Sequence, residues 1–116
     1  MHKIHTVTDY FVNITDIAEE DILSAVDYIT NILGAPKAAG NLLDEIEKEE
    51  KRLEKNPDFH PFVSDAYLAK KGVKFAKINN YKMFFVIKQA QKTVDVIRFL
   101  YNRRDWQNIL KDVFRD

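Results

Sequence analysis

The residues best suited to chemistry stand at the end of one apolar stretch, residues 93–106, which reads TVDVIRFLYNRRDW. Its first part is β-branched or apolar at most positions, which predicts a strand buried on both faces in the middle of a sheet. Arg98 lies within this strand, and Tyr101, Arg103 and Arg104 follow at its end. A strand end can hold such polar groups rigidly on an open surface. We expect this corner to meet whatever the protein binds.

The composition is that of a globular protein. Hydrophobic residues make up 46% of the 116 residues and aromatic residues 12%, which suits one domain over residues 1–116 with its own core. The absence of cysteine excludes disulfides and thiolate metal sites, and no run resembles a signal peptide or a membrane span. His2 and His5 are a weak metal signal without a third ligand, so we expect no metal or other cofactor. These features predict a soluble, cytoplasmic protein.

Charge is distributed unevenly along the chain although the net charge is zero. Residues 1–58 carry 6 lysines and arginines against 13 acids, whereas residues 59–116 carry 12 against 5, so the two parts have net charges of −7 and +7. A basic part indicates an anionic partner such as nucleic acid or an acidic peptide. The alternative is that the two parts fold against each other and partly neutralise.

The first part of the chain predicts a strand and a helical hairpin. A short strand over residues 10–14 precedes a helix over residues 17–33, with Thr15 or Asp16 as its cap. Gly34 and Pro36 separate this helix from a second one over residues 36–55. The buried stripe of the first helix is expected at Ile22, Val26, Ile29 and Leu33. The two helices should pack as an antiparallel pair.

The second part predicts a connection and a meander. Pro57 and Pro61 argue against regular structure in residues 56–72. His60 could serve there as an acid–base group, but a lone loop histidine is more often exposed, and that is what we expect. Strands are predicted over residues 73–79, 81–88 and 93–101, with the first turn at Asn79 and Asn80. Side chains expected to pin the connection to the core are Phe59, Phe62, Tyr67 and Leu68. A short closing helix is expected to pack through Ile109, Leu110 and Val113.

These elements predict an α+β fold. An N-terminal strand and a three-strand antiparallel meander form a sheet of about four strands, dominated by antiparallel pairing. The antiparallel two-helix hairpin packs on one face, and a short C-terminal helix ends the chain. The expected core residues are Ile22, Ile29, Ile46, Phe85, Val96 and Phe99.

The order of these elements, with the sequences they carry, resembles the RelE/ParE superfamily of bacterial type II toxin–antitoxin toxins, often labelled plasmid-stabilisation proteins. The matching segments are VNITDIAEEDILSAVDYI, LLDEIEKEEKRLEKNP, GVKFAKINNYKMFFVI and VDVIRFLYNRRDW. Together they cover nearly the whole chain, and their order and spacing with the terminal RRDW make the resemblance fairly specific.

The resemblance implies a toxin that a cognate protein antitoxin keeps silent, as a hetero-oligomer. RelE-like members inhibit translation by cleaving mRNA on the ribosome without a metal, whereas ParE-like members poison DNA gyrase and are not nucleases. Cleavage requires a group that activates the ribose 2′-hydroxyl, cations that stabilise the phosphate, and an acid for the leaving oxygen. Three readings therefore follow: a RelE-like endoribonuclease, a ParE-like gyrase inhibitor that is not an enzyme, or a non-toxic antitoxin-binding protein.

For the RelE-like reading, the resemblance assigns catalysis to Arg98, Tyr101 and Arg103. It assigns RNA and phosphate binding to Lys74, Lys77 and Arg104. Tyr101 stands where many relatives carry histidine, and a phenol, which ionises only near about pH 10, is a poor base at neutral pH. We expect five of these side chains to converge on one concave face of the sheet: Lys74, Lys77, Arg98, Tyr101 and Arg103. Because Arg98 and Tyr101 are three residues apart, they can share a face only if a bulge or the strand end redirects Tyr101.

Overall fold

Two layers of helices enclose one four-stranded sheet in the computed structural model, which describes residues 9–115. The strands are β1 (Phe11–Ile14), β2 (Val73–Ile78), β3 (Tyr81–Lys88) and β4 (Thr93–Tyr101). The helices are α1 (Asp16–Asp27), α2 (Pro36–Lys55), α3 (Ala66–Lys70) and α4 (Trp106–Val113). His2 and His5 lie outside the described residues. Among those described, no helix is both long enough and apolar enough to cross a membrane.

The strand order in the sheet is β1-β4-β3-β2. β2, β3 and β4 form the predicted antiparallel meander, with Asn79 at a φ of 54° in its first turn. β1 runs parallel to β4, which makes the sheet mixed but still mainly antiparallel. The helical connection after β1 returns the chain to the end of the sheet at which β1 began, where the Tyr10 N–H donates to the carbonyl of Glu54. β2 therefore starts at the same end as β1, and the meander makes β4 run in the same direction as both. The α+β architecture predicted from the sequence is confirmed.

β4 lies in the interior of the sheet and is apolar on both faces, as predicted. One face packs on α1 and α2 through a core that includes Val94, Val96 and Phe99. The other face packs on α3 and α4 through Ile97 and Leu100. Five of the six predicted core residues are buried, and Ile29 is partly buried against the same cluster.

The first helix differs from the prediction in its last turn. Residues Tyr28–Ile32 form a π-helical turn, in which the Leu33 N–H donates to the carbonyl of Tyr28 at 3.0 Å. Because a π-helical turn contains one more residue than an α-helical turn, it rotates the following side chains. Leu33 is consequently 59% exposed, so its expected place in the buried stripe is wrong.

The connection between α2 and β2 also differs from the prediction, because it contains the short helix α3. The Asp65 carboxylate caps α3 by accepting the Leu68 N–H at 3.0 Å, and Leu68 is fully buried as predicted. The other three predicted anchors are wrong: Phe59, Phe62 and Tyr67 are exposed. Backbone hydrogen bonds to the outer edge of β2, from Val63 to Val73 and from Phe75 to Pro61, hold the segment instead.

Candidate functional site

The side chain of Arg98 is anchored by α1. Its Nε and Nη2 atoms donate to the two carboxylate oxygens of Asp21 at 2.7 and 2.8 Å, and the Phe99 N–H donates to the same carboxylate at 3.0 Å. The hydrogen bond to Asp21 raises the pKa of Arg98 above its usual value, although burial opposes this. Both side chains are largely buried, at 16% and 14% exposed. The guanidinium is therefore already paired in a bidentate geometry.

A bulge in β4 lies directly before Arg98. Phe84 pairs with Arg98 and Phe85 pairs with Val96, so Ile97 is the extra residue. β1 ends opposite Val96, and α1 takes its place beside the last part of β4. The bulge shifts the alternation of the strand, so Phe99 and Tyr101 join Val94 and Val96 on the face toward α1 and α2, where Tyr101 packs against Tyr81. Arg98 instead meets Asp21 at the strand edge that β1 has vacated. The redirection that the sequence required therefore falls on Tyr101.

Arg98, Tyr101 and Arg104 line one open cleft of about 830 Å³. One wall is the end of the helical hairpin, and the other is the β2–β3 turn with the end of β4. The remaining lining is mainly aromatic and aliphatic, with Tyr28, Ile29, Leu33, Leu42, Tyr81 and Phe99 among it. Of the five side chains predicted to converge, Arg98 and Tyr101 line this cleft, and Arg104 joins them. Their surroundings are more apolar than expected.

Three tyrosines dominate the cleft. Tyr81 stacks on Phe99 with ring centroids 4.9 Å apart, and Tyr101 meets Tyr81 edge-on at 5.5 Å. Burial raises the pKa of Tyr81, and the nearby phenols of Tyr101 and Tyr28 raise it further because two phenolates would repel each other. Tyr28 and Tyr101 are 50% and 42% exposed. The cleft thus presents aromatic surface to the solvent rather than a cluster of free charges.

Lys74 does not reach this cleft. It is buried, and its Nζ atom donates to the carbonyl oxygens of His60 and Asp58 at 2.7 and 3.3 Å. The same ammonium lies 4.1 Å from the centre of the Phe62 ring. Lys74 therefore fastens the connection before α3 to β2, a role that its position in the sequence did not indicate. Its expected convergence with Arg98 and Tyr101 is wrong.

Lys77 points to the opposite face of the sheet. It pairs with Lys82 across β2 and β3, and its neighbours Ala76 and Ile78 belong to the core beneath the helical hairpin. Alternation along the strand therefore places Lys77 on the side of α3 and α4. Arg103 is exposed in the turn after β4 and does not line the cleft. The predicted convergence of all five side chains is wrong for Lys77 and Arg103 as well.

A second polar cluster, which sequence reasoning missed, lies at the other end of α2. The buried Glu49 carboxylate is 2.8 Å from His60 Nε2 and accepts from Arg52 Nε at 3.1 Å. Burial raises the pKa of Glu49, but the hydrogen bonds and charges of His60 and Arg52 outweigh it, so the pKa lies below its ordinary value. His60 packs edge-on against Phe85 and is not the exposed loop residue predicted. Within residues 9–115, no group of three histidines or acids is placed to hold a metal ion.

The fold and the cleft now allow comparison with known proteins. A family model described as ParE toxin of type II toxin-antitoxin system, parDE, matches residues 12–106. The chain belongs to this family of toxins. A search of curated proteins gives no match.

Two solved structures share the fold. One is described as the chromosomal ParDE toxin–antitoxin system from P. aeruginosa, with a TM-score of 0.65 and 17% sequence identity over 81% of this chain and 97% of that chain. The other is described as the toxin–antitoxin complex RelBE2 from Mycobacterium tuberculosis, with a TM-score of 0.57 and 16% identity over 83% of this chain and 94% of that chain. At these identities the likeness extends to the fold, and the RelE/ParE resemblance noted from the sequence is confirmed.

Proposed function

We propose that this toxin acts by binding DNA gyrase and inhibiting it, and that it does not cleave RNA. The observation that carries the proposal is the bidentate ion pair between Arg98 and Asp21. The Nε and Nη2 atoms of Arg98 both donate to the Asp21 carboxylate, which also accepts the Phe99 N–H. Transferring Arg98 to a phosphate would leave the largely buried Asp21 carboxylate without its cationic partner, which is costly. The match to a ParE family model supports the same choice.

The other residues assigned to RNA cleavage do not support the RelE-like hypothesis either. The ammonium of Lys74 is held by two backbone carbonyls, and Lys77 faces away from the cleft. Catalysis by charge stabilisation needs several donors aimed at one point. Tyr101 lies in the cleft, and within residues 9–115 no histidine or carboxylate is hydrogen-bonded to it that would make it a base. A role in binding a protein target requires neither converging cations nor a general base.

The cleft is suited to contact with a protein target. Tyr28 and Tyr101 offer half-exposed aromatic rings, and Arg104 supplies an exposed guanidinium beside them. Tyrosine and arginine are enriched among the residues that contribute most to protein–protein binding energy. We therefore place the contact with gyrase at this cleft.

A cognate antitoxin completes the proposal, and a groove between α1 and α2 is suited to one of its segments. The groove has an apolar floor that includes Leu23 and Leu43, which are 60% and 44% exposed. Its rim carries Glu19, Asp44, Glu47 and Glu50. Burial raises the pKa of Glu50, and repulsion from Glu47 and Glu54 adds to it, so a cation placed there would relieve the repulsion. A basic amphipathic segment of the antitoxin meets both requirements.

Two assays with the purified chain test the proposal. We expect the chain to block supercoiling of relaxed plasmid by gyrase and to leave mRNA intact on programmed ribosomes. The antitoxin encoded beside it should form a complex with the chain and restore supercoiling. Full supercoiling activity in the presence of excess toxin would overturn the proposal.

One observation favours the RelE-like alternative, in which the chain is a metal-independent endoribonuclease. Arg98, Tyr101 and Arg104 do share one cleft, as a phosphate site would require. Cleavage of mRNA on ribosomes by the wild type, lost in Tyr101→Phe and Arg98→Ala, would establish that alternative. Because Arg98 is also paired with Asp21, thermal melting must show that Arg98→Ala is folded before its result counts.

A further inference from the structure

A separate group of four cations surrounds the tip of the β2–β3 hairpin. Lys77 on β2 and Lys82 on β3 are direct partners in the antiparallel register, and Arg103 and Arg104 lie in the turn after β4. The Asn102 N–H donates to the carbonyl of Asn80 at 2.7 Å, which places that turn beside the hairpin tip. We call these four residues the basic corner. Arg104 is shared with the rim of the cleft, whereas Lys77 and Lys82 lie on the opposite face.

The charge of the basic corner is not neutralised within residues 9–115. None of its four cations has a carboxylate oxygen within 4.0 Å, although eight ion pairs occur elsewhere in this part of the chain. Two lysines directly opposite each other on neighbouring strands repel and destabilise the pairing. Asp105 is the acid nearest in sequence, and its carboxylate accepts a hydrogen bond from Asn108. The arrangement is one that a bound polyanion would relieve.

The aromatic residues beside these cations distinguish between kinds of nucleic acid. Lys82 Nζ lies 5.0 Å from the ring centre of Phe75 and 5.3 Å from that of Trp106. Trp106 also stacks on Phe84 with ring centroids 5.4 Å apart. Phe84 is fully buried, and Phe75 and Trp106 are partly buried against it, so the face of Lys77 and Lys82 offers no open platform on which unpaired bases could stack. The half-exposed ring of Tyr101 lies in the cleft on the opposite face. What remains for a ligand is positive charge, which suits the phosphate backbone of a duplex.

We propose that the basic corner binds the phosphate backbone of duplex DNA, without reading its sequence. The choice of DNA rests on the proposed function, because a toxin bound to gyrase would lie beside the duplex on which gyrase acts. The acidic first part of the chain supports an orientation in which the hairpin of α1 and α2 faces away from the DNA. The toxin would then hold protein through the cleft and DNA through the basic corner.

The test is the salt dependence of binding between the purified chain and a fluorescein-labelled DNA duplex, measured by anisotropy without gyrase. Each cation that contacts a phosphate adds about 0.9 to the steepness of log K against log salt concentration. We expect Lys77→Gln and Arg103→Gln each to lower the slope by about 1, and the double variant by about 2. Both side chains are exposed, so neither variant should melt at a lower temperature than the wild type.

The matched control is Lys37→Gln with Lys51→Gln, which removes two equally exposed lysines from α2. Its slope should equal that of the wild type. Three results would overturn the inference. The slopes could be equal for all variants, the duplex could fail to bind, or the chain could bind single strands or polyglutamate more tightly than the duplex. Gyrase assays keep the two proposals apart. Inhibition of gyrase without DNA binding overturns only the proposal that the basic corner binds DNA. DNA binding without inhibition of gyrase overturns only the proposed function.

Discussion

Asp21 on α1 and Arg98 on β4, which are 77 positions apart in the sequence, are joined by two hydrogen bonds of 2.7 and 2.8 Å. The same carboxylate accepts the Phe99 N–H, so it binds both a side chain and the backbone of β4. This contact lies where β1 has ended and the edge of β4 would otherwise lack a partner. It fixes the helical hairpin to the sheet and thereby sets the distance between the two walls of the cleft.

We predict that Asp21→Asn lowers the free energy of unfolding by about 2–3 kcal/mol. The substitution leaves a largely buried guanidinium without its counter-charge, and it weakens the hydrogen bond to Phe99. Urea denaturation measures the effect, with Glu20→Gln as the control because Glu20 is an exposed acid on the same helix. The control should change stability by less than about 0.5 kcal/mol. Equal stability of the two variants would show that the ion pair contributes nothing.

The connection between α2 and β2 is held by Leu68 and not by its exposed aromatic residues. We predict that Leu68→Ala lowers the free energy of unfolding by about 2–5 kcal/mol, because Leu68 is fully buried under α4 and the sheet. Phe59→Ala should change it by less than about 0.5 kcal/mol, since Phe59 is 84% exposed. Chemical denaturation of both variants decides the matter, and a large loss from Phe59→Ala would contradict this account of the segment.

Local pattern was sufficient to predict most of the fold. Period-two alternation located β3, and a nearly continuous apolar run located β4. Gly34 with Pro36 located the start of α2. These signals depend only on neighbours in the sequence. The π-helical turn and α3 were missed for the opposite reason. The turn of residues 28–32 is an insertion that no residue type marks, and α3 is short and follows two prolines.

The site was less predictable, because side-chain partners are set by tertiary packing. The approach of Asp21 to Arg98 depends on where β1 ends, and the face of Tyr101 depends on the bulge at Ile97. Neither leaves a signal in the sequence. Lys74 sits on the expected strand, yet the carbonyls that bind it belong to a connection without regular pattern. The spacing of Lys77 from the core residues of β2 did indicate its face once the inward side of the strand was known.

Glu49 makes the stability of the protein depend on pH. Its pKa in the folded state lies below the ordinary value of 4.5, so its ionised form stabilises the fold above about pH 5. As the pH falls through the folded-state pKa, the carboxylate takes up a proton and this contribution is lost. We predict that the difference in unfolding free energy between wild type and Glu49→Gln shrinks as the pH falls from the ordinary value of 4.5 through the lower pKa of the folded state.

The control for this prediction is Asp44→Asn, which removes an exposed acid from the same helix. Its difference from the wild type should stay small across the same pH range. A difference for Glu49→Gln that does not change with pH would show that its hydrogen bonds with His60 and Arg52 do not depend on the negative charge.

The last prediction concerns the cleft as the surface that contacts gyrase. Tyr28 stands on the π-helical turn at the rim, and half of its surface is exposed. If the cleft encloses a segment of the target, Tyr28→Ala should raise the toxin concentration needed for half inhibition of supercoiling by about tenfold or more. Loss of an aromatic side chain that contributes strongly to binding typically costs about 2 kcal/mol, and each 1.4 kcal/mol corresponds to about a factor of ten.

Phe59→Ala is the matched control, because it removes an even more exposed aromatic ring outside the cleft. It should inhibit gyrase as the wild type does, and thermal melting should show that both variants are folded. Inhibition weakened equally by the two substitutions would indicate a general effect of lost apolar surface. Undiminished inhibition by Tyr28→Ala would exclude Tyr28 from the contact and would place the contact with gyrase on another surface. Whether gyrase is the target is decided separately by the supercoiling assay on the wild type.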